Sequence, residues 1–585
     1  MNSAQIGSMN RTGHILNSKL RKYLIPTIAT ALAMSLDEFV DSIIVANLLD
    51  LKAMTVISVA SPIVLVVAAI YMLFGVGGST VYAVNIGSRN TKAAGKAFSV
   101  SLLTALFTVI TLCVLGTLFS ESFCRFLCAD ESLYEDLLHY VRILLLTAPF
   151  IVGIQTLSGF LPAAGVPNIA TLICIIANVT NLIFDYIYIR FFDMGVGGTA
   201  YATLTGYGIC LVLLVVMLLC RKIKLHVTMP SWKDFRSLRE IVLQGGANAI
   251  GQLGYTIKFT FYNQFILSLV GTVGLGAFAV AKQLLSIMSI GLAGISEAVA
   301  PFLSTLKGQK DTSGIKYVLR SGIIYVTAIS TALVVLFECF PELLYKMFNV
   351  TDKAVTDMAT GGIRIFLLMF LVRGAYIVYM SYARISGHKG YAMMISMLDG
   401  FALLLPVALL CSYLFGMTGI WLSFPVTCVM IFLGIIIYNR NLVRRSNGRL
   451  EGLFLLEHED DVKVCEMTIG EEDESISGLS EELTAFCTEN GIEKSTAARI
   501  GLIAEEMAVY TRRHRKKSDR IDIITRISEE HIRVDFRSEG TPFNPLAKSD
   551  EDDERNFLLI NKLPSKISYD YILGMNSTQF IIDKI

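Results

Sequence analysis

The chain has 585 residues, 54% hydrophobic and 17% charged, with a mean hydropathy of +0.59. That balance excludes an ordinary set of soluble domains and puts most of the chain in a membrane. The net charge of +1 averages an apolar part with a polar tail and gives no reason to expect a nucleic-acid partner.

Residues 1–22 are polar and basic, and the apolar run that follows is far too long for the core of a cleavable signal. About twelve helices long enough to cross a bilayer are predicted, over residues 23–49, 54–84, 98–120, 138–162, 167–191, 198–220, 240–269, 275–304, 316–339, 361–384, 391–415 and 418–439. Basic residues mark alternate connections: Lys19, Arg21 and Lys22 before the first span, Arg89, Lys92 and Lys96 after the second, and a run from Arg221 to Arg239 after the sixth. Lys307, Lys310 and Lys316 follow the eighth, Arg384 and Lys389 the tenth, and Arg440, Arg444 and Arg445 the twelfth. All of these fall on one side, so the expectation is a multi-pass protein of the cell membrane with both termini cytoplasmic.

Two copies of one pattern run through the apolar part. Gly87 aligns with Gly308, Thr91 with Thr312 and Gly165 with Gly387, at an offset of about 221 residues. Two similar membrane halves are a common build for secondary transporters, with the substrate site between them. The expected organisation is a first six-helix lobe over 23–220, a cytoplasmic loop over 221–239, and a second lobe over 240–440.

Ionisable groups inside spans are costly and mark function by default. The first span carries Asp37, Glu38 and Asp41, the first and last one helical turn apart. The fifth carries Asn178, Asn181 and Asp185, and the sixth carries Thr203. Asp41, Asn181, Asp185 and Thr203 are therefore candidates for one polar cavity. Two carboxylates sharing low dielectric either raise a pKa or bind a cation between them, and either outcome couples to an ion. The plain alternative is an inert hydrogen-bonded cluster. The second half replaces these acids with apolar residues and carries Gln252 and Lys258, then Lys282 and Glu297, then Arg373 and Asp399. Lys282 with Glu297 and Arg373 with Asp399 are candidate internal pairs. A basic group facing the cavity would disfavour a purely cationic substrate.

The eleven cysteines are scattered through apolar runs and read as small buried hydrophobes, and the seven histidines form no metal-ligand pattern. Cys124 and Cys128 sit at helical spacing in an outer loop, where a disulfide is the lesser alternative. A short linker, 441–455, leads to a charged tail, 456–585, long enough for one small domain of about 130 residues. Its pattern predicts a strand in KVCEMTIG, helices over 480–490 and 494–513, and four more strands, giving a small α/β sandwich.

Residues 20–440 resemble a multidrug and toxic compound extrusion (MATE) transporter. The stretches that carry this are LDEFVDSIIVANLL, GVGGSTVYAVNIGSRNTKAAGKAF, GFLPAAGVPNIA, NLIFDYIYIRFFDMGVGGTAYAT and the later SGHKG. The resemblance implies an all-α bundle of two pseudo-symmetric lobes and exchange of an organic compound for H⁺ or Na⁺. It also implies a first-lobe cation site at Asp41, Asn181, Asp185 and Thr203, with no other cofactor. Lys258 and Arg373 stand in helices where some branches of the family use acids, which leaves the substrate class open. Asp37, Glu38, Asn178, Gln252, Lys258, Lys282, Glu297 and Arg373 are further cavity candidates.

The tail resembles the ATP-binding domain of histidine kinases and anti-sigma-factor kinases, through IGLIAEEMAVYTRRH and IRVDFRSEGTPFNPL. The resemblance places Glu506 at the acid that activates water, Tyr510 at a metal-binding Asn, and Ser538 at an adenine-reading Asp. Gly540 and Pro542 lie in the adenine loop, and no glycine-rich phosphate loop is visible near Asp553–Leu559. Loss of metal ligand and phosphate cradle together points to a regulatory module that meets a cytoplasmic protein rather than a working ATPase, with weak ATP binding as the lesser alternative. The basic run Arg512–Lys517 reads as a solvated turn, with attraction to anionic lipid as the lesser alternative. No GxxxxGK[ST] loop occurs, which argues against ATP-driven pumping. The leading expectation is thus a non-enzymatic exporter of a small organic substrate in contact with membrane lipids. A flippase for lipid or lipid-linked precursors and a membrane-anchored sensor are the alternatives.

Overall fold

The computed structural model describes residues 11–49, 51–127, 131–220, 225, 227–342, 353–457, 462–470, 476, 478–513, 520–545 and 564–584, with the side chains of 34–48 and a few others outside the description. The side chains of Asp37, Glu38 and Asp41, Cys128, the run 514–517 and the stretch 553–559 therefore lie outside the described residues. The chain forms two compact units, Lys22–Asn441, and Met1–Arg21 together with Leu442–Ile585.

The described residues of the larger unit form helices and short connections. Its first half holds α1 (His14–Leu48, from Lys22 on), α2 (Leu51–Ile70), a π-helical turn (Tyr71–Val76), α3 (Gly77–Gly87), α4 (Thr91–Leu118), α5 (Ser120–Leu127), α6 (Glu131–Phe160), α7 (Pro167–Arg190) and α8 (Gly195–Leu219). The second half holds α9 (Leu238–Val270), α10 (Thr272–Gly308), α11 (Thr312–Cys339), α12 (Lys353–Leu367) and α13 (Phe370–Ile385). It ends with α14 (Lys389–Met397), a π-helical turn (Leu398–Ala402) and α15 (Leu404–Arg445). Among the described residues, eight helices are long and apolar enough to cross a membrane, or nine if α12 and α13, bent by 45°, are one span. The sequence predicts about twelve, and the difference has local sources: the first expected span has the side chains of 34–48 outside the description. α9 is diluted by Gln244, Asn248, Gln252, Lys258, Asn263 and Gln264, and the last two expected spans follow one another within one apolar stretch, with a break between them at Gly416, where φ is +59°.

The repeat reappears as geometry. Asn90 caps α4 by accepting from the Ala93 N–H at 3.0 Å, and Asp311 caps α11 by accepting from the Gly314 N–H at 2.8 Å. Arg89 and Lys310, each just before its cap, share a φ of +59°. Gly87 and Gly308 answer one another: a Cβ on Gly87 would lie 2.0 Å from the Thr305 carbonyl oxygen, and one on Gly308 would lie 2.0 Å from that of Val84. The ends of α3 and α10 therefore cross backbone to backbone, the close approach that small residues permit between membrane helices.

In the smaller unit, β1 (Leu450–Glu451) and β2 (Leu456–Glu457) form a short antiparallel pair. After them come β3 (Lys463–Ile469), α16 (Leu479–Glu489), α17 (Lys494–Arg513), β4 (Ile521–Ile527), β5 (His531–Glu539), β6 (Lys566–Ile572) and β7 (Met575–Asp583). The five long strands make one antiparallel sheet in the order β3-β4-β5-β7-β6. Alternation sends Ile521, Ile523, Ile527, Val534, Phe536 and Phe580 into a core with Leu479, Leu483, Ile500 and Met507 of the two helices. The opposite face is polar, and the N-terminal segment engages its β3–β4 edge. Arg11 pairs with Asp522 at 3.4 Å and Glu466 at 3.5 Å, and the Thr12 N–H donates to Thr468 Oγ1 at 3.1 Å.

Candidate functional site

Helix α7 buries one stripe, Ile173, Ala177, Asn181, Asp185 and Ile189, spaced four apart. Of its two polar members, Asn181 meets both Asp185 and Thr203 of α8. Asn181 lies 3.2 Å from Thr203 Oγ1, and with its amide nitrogen turned toward Asp185 it donates to Oδ2 at 3.2 Å while its oxygen accepts from the Thr203 N–H at 3.1 Å. Thr203 Oγ1 also donates to the Thr199 carbonyl at 2.9 Å. Asp185 is fully buried and Asn181 nearly so. Gly206 of α8 faces Asn181, which lets the helices close on each other. Three of the four first-lobe residues singled out in the sequence thus share one buried cluster, and the fourth, Asp41, has its side chain outside the described residues. Among the described residues the cluster sets a carboxylate beside an amide and a hydroxyl, oxygen and amide groups of the kind that take a proton or a small hard cation.

A larger cavity of about 240 Å³ opens between the two halves. Its walls include Thr30, Tyr71, Asn178 and Tyr207 from the first half, and Glu297 and Arg384 from the second. The Asn178 amide also donates to the Ala33 carbonyl at 2.8 Å. Tyr71 is carried by the π-helical turn, an irregularity that re-aims side chains and recurs at functional sites. Glu297 and Asn178 were legible as candidates. Arg384 was legible only as a basic residue at the end of a span, because nothing in its local sequence says that packing turns it inward.

The remaining second-half candidates separate. Arg373 Nη2 pairs with Asp399 Oδ2 at 2.9 Å, and the Tyr376 hydroxyl donates to Asp399 Oδ1. Arg373, Asp399 and Lys258 line one small second cavity, and Lys258 lies 5.5 Å from the Phe259 ring centroid. The suggested pairing of Lys282 with Glu297 does not form. Both lie on α10 fifteen residues apart, about 22 Å along the axis, and exposed Lys282 sits over the Phe259 ring at 5.6 Å. Gln252 is half-buried on α9 and lines neither cavity.

In the tail, Tyr510 is buried against Phe543, ring centroids 5.5 Å apart, and Glu506 is half-buried one turn earlier on α17. Ser538 lies in the sheet, registered with Ile521 and Asn576. The loop after β5 is laced to the last hairpin: the Phe543 N–H donates to Asn576 Oδ1 at 2.8 Å, the Asn576 amide to the Thr541 carbonyl at 3.1 Å, and the Tyr571 hydroxyl to the Gly540 carbonyl at 3.1 Å. Gly540 takes φ of +116°, and Pro542 is exposed. Among the described residues no group of three His, Cys, Asp or Glu side chains could hold a metal ion.

Comparison with known proteins gives one answer for the membrane part. The MatE family profile matches residues 26–187 and again 248–410, one match per half. The multidrug export protein MepA of Staphylococcus saprophyticus is 23% identical over 383 residues, covering 63% of this chain and 82% of that protein. MepA of Staphylococcus aureus strain NCTC 8325 is 22% identical over 378 residues with the same coverage. Among solved structures, the Vibrio cholerae MATE transporter VcmN superposes with a TM-score of 0.69 at 19% identity, covering 76% of this chain and 99% of that one. With its two matched halves, its apolar helices and the cavity between them, the chain belongs to the MatE family and is a multi-pass membrane transporter, not an enzyme.

Proposed function

We propose that this transporter exports a multidrug-type organic substrate by alternating access, driven by entry of H⁺ or Na⁺ at Asp185 and Asp41 with Asn181 and Thr203 as neutral partners. The observation that carries the reading is the fully buried Asp185 carboxylate beside Asn181 and Thr203. Burial favours uptake of a proton or cation by this carboxylate, and its occupancy then shifts the balance between helix arrangements of the first lobe. The names of the MepA relatives, multidrug export proteins, favour the same substrate class. In this reading the chain crosses the membrane about twelve times, and the basic connections keep both termini in the cytoplasm. The tail is a regulatory module that meets a cytoplasmic partner. The Tyr510–Phe543 packing beside the loop after β5 supports a role other than ATP hydrolysis.

The test is efflux of an organic dye from proteoliposomes under an imposed pH gradient, then a Na⁺ gradient, with Asp185→Asn in parallel. Gradient-driven efflux that falls to the leak rate in Asp185→Asn is expected. Full efflux by Asp185→Asn would remove the coupling assignment. Absence of dye efflux alongside stimulation by lipid headgroups would favour a flippase.

A further inference from the structure

The cavity between the halves is amphiphilic in an unusual way. Most of its wall is apolar or weakly polar, including Val76, Ile154 and Ile173, and among the described residues it holds one carboxylate, Glu297, and one guanidinium, Arg384. Arg384 is only 3% exposed, and its Nε and Nη1 have no hydrogen-bond partner among the described residues. Arg384 and Glu297 share the cavity without forming an ion pair there. Both side chains line the cavity, Glu297 with more of its surface open than Arg384.

A guanidinium stays charged under all ordinary conditions, and its planar fork of donors matches a carboxylate or phosphate in two parallel hydrogen bonds. A buried cation without protein partners is costly, and an incoming anion relieves that cost. We infer that the substrate of this cavity carries an anionic group, a carboxylate or phosphate ester on an apolar body, and that Arg384 is the residue that receives it. Glu297 then favours a second, cationic group on the same molecule, so a zwitterion binds best and a plain organic cation worst. This rests on the exporter reading above for its meaning, but it is a statement about binding and is tested as one.

The probes are three dansyl compounds that share one fluorescent apolar body: dansylglycine, an anion; Nε-dansyl-lysine, a zwitterion; and dansylethylenediamine, a cation. Binding to the purified full-length protein is followed by the rise in dansyl emission. The zwitterion and the anion are expected to bind about tenfold or more tighter than the cation, the size of one charge-assisted contact. Arg384→Gln should erase that preference while leaving the cation's affinity unchanged or improved, and Arg384→Lys should restore part of it. Glu297→Gln should weaken the zwitterion and spare the anion. Tighter binding of the cation by the native protein overturns the inference. Equal loss of all three probes in Arg384→Gln, with Arg384→Lys no better, also overturns it, because Arg384 would then be a structural latch. Gradient-driven efflux is measured separately on the same probes. Preferential binding of the anion without gradient-driven efflux would count against the exporter reading alone. Gradient-driven efflux of the cation only would count against the substrate class alone.

Discussion

Asp535 shows how far one residue's surroundings set its chemistry. It sits on β5 with its carboxylate 2.8 Å from Arg533 Nε and 3.2 Å from Arg526 Nη1, and accepts from the Gln579 amide at 2.7 Å. Burial alone would push its pKa up; Arg533, Arg526, Arg537 and the Gln579 hydrogen bond outweigh that and hold it below the usual carboxylate range. A folded-state pKa below the unfolded one adds stability at pH above the ordinary Asp value of about 3.9. That stability drains away as pH falls through the lower folded value. Asp535→Asn is therefore expected to weaken the tail at pH 7, and the gap between variant and parent should close as both are taken toward pH 2. Hydrogen exchange of the β5 amides across that range checks it. A gap that persists unchanged in acid would mean that the carboxylate's charge is not what Asp535 contributes.

At the scale of elements, the closest contacts come from residues with the least side chain. Gly87 and Gly308 let α3 and α10 touch through main-chain carbonyls, with no room for a methyl group at either point. Gly308→Val is expected to cost about 1–3 kcal/mol as overpacking, lowering the melting temperature and slowing transport, and Gly87→Val should do the same. Unchanged melting and transport in both would show that the crossing has slack. Arg11 performs the opposite kind of joining. Its buried side chain ties the N-terminal segment to β3 and β4 through Asp522 and Glu466. Arg11→Ala takes that cation away from the buried Asp522 carboxylate, which also accepts from the Thr468 hydroxyl at 2.8 Å. It should destabilise the tail's sheet by about 3–5 kcal/mol, read as earlier exchange of β3 and β4 amides. The sequence repeat made the paired glycines visible as a pattern, but not the reason for them, since a glycine's value lies in the neighbour it admits. The strands and helices of the tail were legible from alternation and periodicity. That Arg11 joins the tail's sheet was not, because local pattern carries no information about a partner more than four hundred residues away. For the same reason the one-turn spacing of Asn181 and Asp185 could be read in advance, whereas the inward turn of Arg384 could not.

The whole molecule keeps two kinds of stability in two units. The membrane unit rests on apolar packing and close helix crossings, while the tail adds to its apolar core a polar face whose carboxylates, Asp522 and Asp535, are buried against arginines. Acid should therefore act on the tail first, since protonating Asp535 takes away the carboxylate charge that faces Arg526 and Arg533. The sequence supplies a means of seeing this without altering the protein. It contains two tryptophans, Trp232 and Trp421, and both lie in the membrane unit. Trp421 is buried in α15 against Phe278 and Phe366. Tryptophan emission thus reports the membrane unit, whereas β-sheet circular dichroism reports the tail. In a detergent-held sample taken down in pH, the sheet signal is expected to fall at a pH where Trp421 emission is still native, so that the two probes give separate transitions. Coincident transitions would show that the units unfold as one cooperative body, and would shift the origin of the acid response from the tail's buried carboxylates to charges shared by the whole chain.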